Sequence, residues 1–148
     1  MIKRHAPTAA RVLLGLVFFV FGLNGFLHFI PQPPPPPTGG AFLGALFATG
    51  YMFPLIKGTE VVAGAMLLGN RFVPLALTLL APIVVNIAAY HLILDFNPVM
   101  PVLLSALLGY LAWSYRASFR GVLAAKASPA AAGEEPEVIP AGAAASRA

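Results

Sequence analysis

The chain has 148 residues, of which 59% are hydrophobic and only 9% are charged, and its mean hydropathy is +0.84. This composition excludes an ordinary soluble domain and indicates a single integral membrane domain with room for about four spans of about 20 residues. The absence of cysteine excludes disulfide exchange and thiolate metal sites within this chain, and the net charge of +4 does not indicate nucleic-acid binding because the basic residues cluster beside apolar segments.

The first predicted span covers residues 11–30 and follows a short basic N-terminus, residues 1–10. The apolar run continues to its end without a small-residue cleavage site, so we expect an uncleaved helix rather than a signal peptide. Because basic residues precede this helix, the N-terminus is predicted to be cytoplasmic.

The segment after the first span, residues 31–40, contains five consecutive prolines. Such a run favours an extended polyproline II conformation whose carbonyls need water, which predicts a stiff loop outside the cytoplasm. A docking strap for a partner is the alternative interpretation of the same run. Residues 41–48 are apolar but too short to span, so they predict a short interfacial helix.

Three further spans are predicted over residues 51–69, 72–94 and 99–115, which completes a membrane domain over residues 11–120. The tail from 121 to 148 is rich in Ala, Gly, Ser and Pro and is predicted to be disordered in the cytoplasm.

The fold expected from these segments is an all-α membrane bundle of four helices with both termini cytoplasmic. In this arrangement the outer loops contain no lysine or arginine, as the positive-inside rule requires, and a bacterial-type inner membrane is the expected location. The residues that then lie on the cytoplasmic side are Lys3, Arg4, Arg11, Arg71, Arg116, Arg120 and Lys126.

Two charged residues, Lys57 and Glu60, lie in the middle of the second predicted span. Each charge opposes membrane insertion by about 2.5 to 3.5 kcal/mol, so the pair needs a compensating role. At this spacing the two side chains share one helix face and can neutralise each other. That face is expected to point into the protein.

Other polar residues fall at comparable depths, about 16 to 30 Å from the cytoplasmic boundary at the helical rise per residue. One interpretation is a ligand pocket in the outer half of the bundle; the other is a hydrogen-bond network that fixes helix register. Haem ligation by His28 and His91 is a further possibility. The candidate pocket residues are Asn24, His28, Lys57, Glu60, Asn86, Tyr90 and His91.

The chain resembles the DoxX-like family of small four-span membrane proteins over about residues 10 to 115. The resemblance is carried by Arg11 with Gly15, the stretch Gly22-Leu23-Asn24, His28-Phe29, Ala81-Pro82, Asn86, and above all the block from Lys57-Gly58-Thr59-Glu60 through Gly69-Asn70-Arg71-Phe72-Val73-Pro74-Leu75. It implies a four-helix membrane bundle. In some relatives such a bundle is a subunit of a quinone-reducing oxidoreductase, for example the small membrane subunit of thiosulfate:quinone oxidoreductase.

The expected function is that of an accessory subunit of a larger membrane redox complex that binds a quinone or a lipid. No catalytic residue, metal site or covalently bound cofactor is predicted, so the chain is not expected to be an enzyme by itself. The alternatives are a purely structural assembly subunit and a small oligomeric transporter. The predicted partners are membrane lipid and either other membrane subunits or further copies of this chain.

Overall fold

The structure, a computed structural model, describes residues 2–126 and confirms the all-helical prediction, with no strand in that range. The predicted tail therefore lies outside the described residues from position 127 onward. The α-helices are α1 (Ile2–Leu27), α2 (Pro37–Ala48), α3 (Met52–Leu68), α4 (Val73–Ala89) and α5 (Val99–Ser114), with a π-helical turn at Tyr90–Leu94 and a 3-10 turn at Arg116–Phe119.

Helices α1, α3, α4 and α5 pack as a closed ring in which each contacts its two neighbours. The contact between α1 and α3 is the most extensive, and α1 closes the ring against α5. The interior is aliphatic, and its fully buried leucines are Leu14, Leu67, Leu80, Leu104 and Leu111. This core places the inner faces of four helices around one axis.

The two ends of the ring differ in charge. One end, here called the arginine end, contains Arg11 of α1, Arg71 in the turn between α3 and α4, and Arg116 after α5. The other, here called the α2 end, contains α2, whose Thr38 hydroxyl donates a hydrogen bond to the Leu94 carbonyl at 3.2 Å. The acidic residue described at this end is Asp95.

The first helix is shifted relative to the predicted span of residues 11–30. It begins at Ile2, with Pro7 inside it, and it ends at Leu27 rather than at residue 30. The early end has a local cause: the Asn24 amide bonds both the N–H and the carbonyl of Ile30, at 2.6 and 3.1 Å. His28 adopts a positive φ of 52°, which turns the chain out of the helix.

The second helix begins four residues before the predicted start at 41, because Pro37 occupies its first turn. A proline is acceptable there since the first turn needs no backbone donor. The predicted break at Thr49 and Gly50 is present, and Gly50 has a φ of 74°. The chain bends by 92° between α2 and α3, so α2 crosses the end of the ring instead of continuing α3.

The outer surface of the ring is apolar. Within residues 2–126, two segments are long and apolar enough to cross a membrane, His5–Leu27 and Val73–Leu94, and the bent pair α2 and α3 makes a third if counted as one span. Only 33% and 17% of the residues in the most apolar windows of the first two are buried, so many of their apolar side chains are partly or fully exposed. An apolar exterior of this kind supports the prediction of a membrane protein.

Candidate functional site

The ion pair predicted within α3 is formed. The Lys57 Nζ lies 2.8 Å from the Glu60 Oε2, and both residues lie on the α3 face that packs against α1. The glutamate side chain is almost sealed, with 4% of its surface exposed, whereas 21% of the lysine side chain is exposed. The carboxylate is therefore enclosed by protein, while part of the lysine side chain stays accessible.

Two glycines of α1 make room for this ion pair. A Cβ at position 25 would lie 2.6 Å from the Lys57 Cγ and Cδ, and one at position 22 would lie 3.1 Å from the Glu60 Cβ. Gly25 thus lets the lysine stem cross the surface of α1. Gly22 and Gly25 therefore let α1 and α3 approach closely and leave space for the two charged side chains.

An aromatic pair connects the lysine to α2. The Lys57 Nζ lies 5.8 Å from the Phe53 ring centroid, within the range of a cation–π contact. Phe53 in turn stacks on Phe47 of α2 with ring centroids 3.9 Å apart. The ammonium therefore lies near the aromatic contact between α2 and α3.

The geometry weighs against a purely structural role for the ion pair. Lys57 and Glu60 belong to the same helix, so their hydrogen bond joins no two helices. A pair at this spacing stabilises a helix by only about 0.2 to 0.5 kcal/mol, far less than the insertion cost of two charges. A lysine side chain that is partly accessible can instead donate a hydrogen bond to a carbonyl oxygen of a ligand.

Tyr90 and His91 form a separate polar group at the α2 end. The His91 Nδ1 donates to the Ile87 carbonyl at 2.9 Å, and its Nε2 lies 3.9 Å from an Asp95 carboxylate oxygen. Tyr90 packs under α2, with its ring 5.9 Å from that of Phe42. Both residues thus have local partners, and these contacts hold the π-helical turn and α2 together.

The remaining predicted pocket residues are placed differently. Asn24 is buried, but its amide is fully used by the backbone of Ile30. His28 is exposed in the turn after α1, and Asn86 is exposed on the surface of α4. The structure thus pairs Lys57 with Glu60 and places these three residues in other surroundings. The prediction for Asn86 used its depth along the span, which can be counted from the sequence. The face of α4 on which it lies depends on the rotation of the helix about its axis, which the sequence did not show.

Arg11 has a role that the charge pattern did not indicate. It is 7% exposed, and its guanidinium donates to the carbonyls of Leu67 and Leu68 at the C-terminal end of α3. The Leu67 carbonyl also accepts a hydrogen bond from the Asn70 N–H at 3.2 Å. Both carbonyls lie at the negative end of the helix dipole, so a cation stabilises them. The charge pattern indicates only that Arg11 lies on the cytoplasmic side. The sequence feature that singled out Arg11 was its presence, with Gly15, among the residues that carry the DoxX-like resemblance.

An open, shallow groove of about 330 Å³ runs along the outward face of α3. It is mostly apolar and lies on the opposite side of the helix from the ion pair. Its lining residues are Pro54, Leu55, Gly58, Thr59, Val62 and Leu79. None of the predicted pocket residues contributes to this groove.

The chain matches no protein-family model, no curated protein and no solved structure. Within residues 2–126, no three His, Asp or Glu side chains are grouped so that they could hold a metal ion. The candidate site is accordingly defined by its own geometry: a sealed carboxylate, a partly exposed lysine side chain and an adjacent aromatic pair.

Proposed function

We propose that the chain is a DoxX-like protein that crosses a bacterial-type inner membrane four times with both termini in the cytoplasm. The spans are α1, α3, α4 with its π-helical turn, and α5. Helices α3 and α5 have 17 and 16 residues, about 24 to 26 Å of helix, and flanking residues complete the hydrocarbon thickness of about 30 Å. The ring of four helices and the basic residues at one end support this arrangement.

Single cysteines can test this topology because the natural chain has none. We expect a membrane-impermeant maleimide to label Gln32→Cys and Asn97→Cys on intact cells, and to label Asn70→Cys and Ser118→Cys only after lysis. Labelling of Asn70→Cys on intact cells would instead make α2 and α3 a re-entrant pair and would contradict four spans.

We propose further that the protein is a non-catalytic subunit of a membrane redox complex and holds a quinone against the ion pair. The observation that carries this proposal is the unequal exposure of the pair, with the Lys57 side chain 21% exposed and the Glu60 side chain 4% exposed. The ammonium can donate to a quinone carbonyl while the Phe53 ring supports the flat ring of the ligand. The Glu60 carboxyl could carry one of the two protons that reduction of a quinone to a quinol consumes.

The chain has no cysteine, and the proposal includes a partner subunit that supplies electrons through a redox cofactor. Native mass spectrometry of the complex, gently solubilised from its own membrane, tests for the bound quinone and for the redox partner in one measurement. We expect release of a quinone and of a redox partner with the wild-type chain. The double variant Lys57→Met with Glu60→Leu should keep the partner but lose the quinone and quinone turnover.

A matched control is Thr59→Val, which changes a polar residue of the same helix on the face away from the ion pair. It should retain both the quinone and the partner. If the double variant keeps the quinone and its turnover, the ion pair has no part in ligand binding, and the proposal fails.

A structural assembly subunit is the second candidate, and the open groove on α3 favours it. A Cβ at position 58 would meet no atom within 4 Å, so the groove floor leaves room for the close approach of another helix. In this case Gly58→Leu should release the partner subunit, whereas the change of Lys57 and Glu60 should not.

A further inference from the structure

The segment that follows α5 combines exposed basic and exposed apolar side chains. Arg116 and Arg120 are exposed, and so are Trp113, Val122 and Leu123, with 69%, 78% and 77% of their surface accessible. Side chains of this size are costly to leave in water, and arginines are costly in hydrocarbon. The headgroup layer of a bilayer satisfies both kinds of side chain at the same depth.

The local geometry keeps these side chains together. The Arg116 guanidinium lies 5.0 Å from the Trp113 ring and donates to the Trp113 carbonyl at 3.0 Å. The half-buried Phe119 packs against the core, so the segment is fastened to the end of the bundle. Arg116 and the indole therefore form one amphipathic surface with a fixed position relative to α5.

The net charge of this surface indicates which lipid headgroups it would bind. Of the two acidic residues described by the structure, Glu60 is paired within α3 and Asp95 lies at the α2 end, so neither neutralises this surface. The turn between α3 and α4 repeats the combination at the same end, with exposed Arg71 beside Phe72, which is 68% exposed. A positive surface with apolar anchors is complementary to an anionic headgroup layer.

We propose that the surface formed by Trp113, Arg116, Arg120, Val122 and Leu123 selects anionic phospholipids from the adjoining leaflet. The proposal rests on the membrane arrangement proposed above but not on the quinone site. It assigns these residues to recognition of lipid headgroup phosphate, in addition to their effect on topology.

The single tryptophan of the chain, Trp113, reports on this surface directly. The full-length protein is reconstituted in bilayers that mix phosphatidylcholine and phosphatidylglycerol, with bromine on the acyl chains of only one of them. At equal mole fraction, we expect brominated phosphatidylglycerol to quench Trp113 emission more strongly than brominated phosphatidylcholine does. Each variant is normalised to its own emission without bromine.

The variant Arg116→Gln with Arg120→Gln should remove this difference, since each arginine near the surface is worth about a fivefold preference for anionic lipid. The matched control Arg116→Lys with Arg120→Lys keeps the charge and should keep most of the difference. Equal quenching by both lipids in the wild-type protein would overturn the selectivity. Quenching by neither lipid would place the segment outside the bilayer and would also overturn it. The cysteine labels report separately on the four spans.

Discussion

The interface between α1 and α3 has two halves that use glycine in different ways. In the half nearer the arginine end, a Cβ at position 64 would lie 2.6 Å from the Phe19 backbone nitrogen and 3.0 Å from the Gly15 carbonyl oxygen. In the half nearer the α2 end, the nearest atoms to a Cβ at position 25 belong to the flexible Lys57 side chain. One half is thus a contact between backbones, whereas the other accommodates a charged side chain that can move.

This difference indicates where the protein can tolerate change. A backbone cannot shift away from a new methyl group without moving a whole helix, but a lysine stem can change rotamer. The backbone contact fixes the relative position of α1 and α3. The candidate site lies in the half where the surrounding atoms can adjust to a ligand.

The largest effect is expected from Gly64→Ala. Its methyl group would enter the backbone of α1, so we expect a loss of about 2 kcal/mol or more in the free energy of unfolding. Titration with SDS in mixed micelles, followed by far-UV circular dichroism, measures this loss. The control Gly58→Ala adds the same methyl group to open space on the same helix and should stabilise by about 0.5 to 1 kcal/mol. Equal effects of the two changes would show that the backbone contact does not limit stability.

Arg11→Met should have the next largest effect. The change removes the guanidinium donor from the carbonyls of Leu67 and Leu68, of which Leu67 keeps its bond from the Asn70 N–H. We expect a loss of about 1.5 kcal/mol in the same titration. Arg71→Met removes an exposed arginine from the same end and should stay within about 0.5 kcal/mol of the wild-type value. A loss for Arg71→Met as large as that for Arg11→Met would argue that net charge, not the helix cap, is what matters.

Asn24→Leu tests the half of the α1–α3 interface that lies nearer the α2 end. It removes both hydrogen bonds to Ile30, and we expect a loss of about 1 kcal/mol because the exposed turn can partly bond to water instead. Hydrogen exchange of the turn after α1 should accelerate. Asn86→Leu replaces an exposed asparagine on α4 and should leave both quantities nearly unchanged; an equal loss there would contradict the distinction between these two asparagines.

Gly25→Ala should have the smallest effect on stability, a few tenths of a kcal/mol, because the gain in helix propensity offsets the displacement of the Lys57 stem. Quinone retention should nevertheless fall, since the ammonium would move from its place between Glu60 and Phe53. Native mass spectrometry of the complex measures this retention. Unchanged retention would mean that the position of the lysine is not critical for the proposed ligand.

Sequence and structure agree best where the signal is local. Hydrophobic segments, proline and glycine positions and residue spacing predicted the helical fold, the break at Gly50 and the pairing of Lys57 with Glu60, because each depends on neighbours within about one or two helical turns. The predicted bounds of α1 and the predicted start of α2 were less accurate. The end of α1 depends on the bond between Asn24 and Ile30, which no local pattern announced.

The partners of the other polar residues depend on tertiary packing. The sequence alone determined how many apolar helices there are, where they break and which charges lie near each other along one helix. Only the tertiary structure decided that Arg11 caps α3, that Asn86 faces outward and that α2 turns by 92° across the end of the ring. The physical reason is that the rotation of each helix about its axis is set by close packing between helices, such as the glycine contacts of α1 with α3.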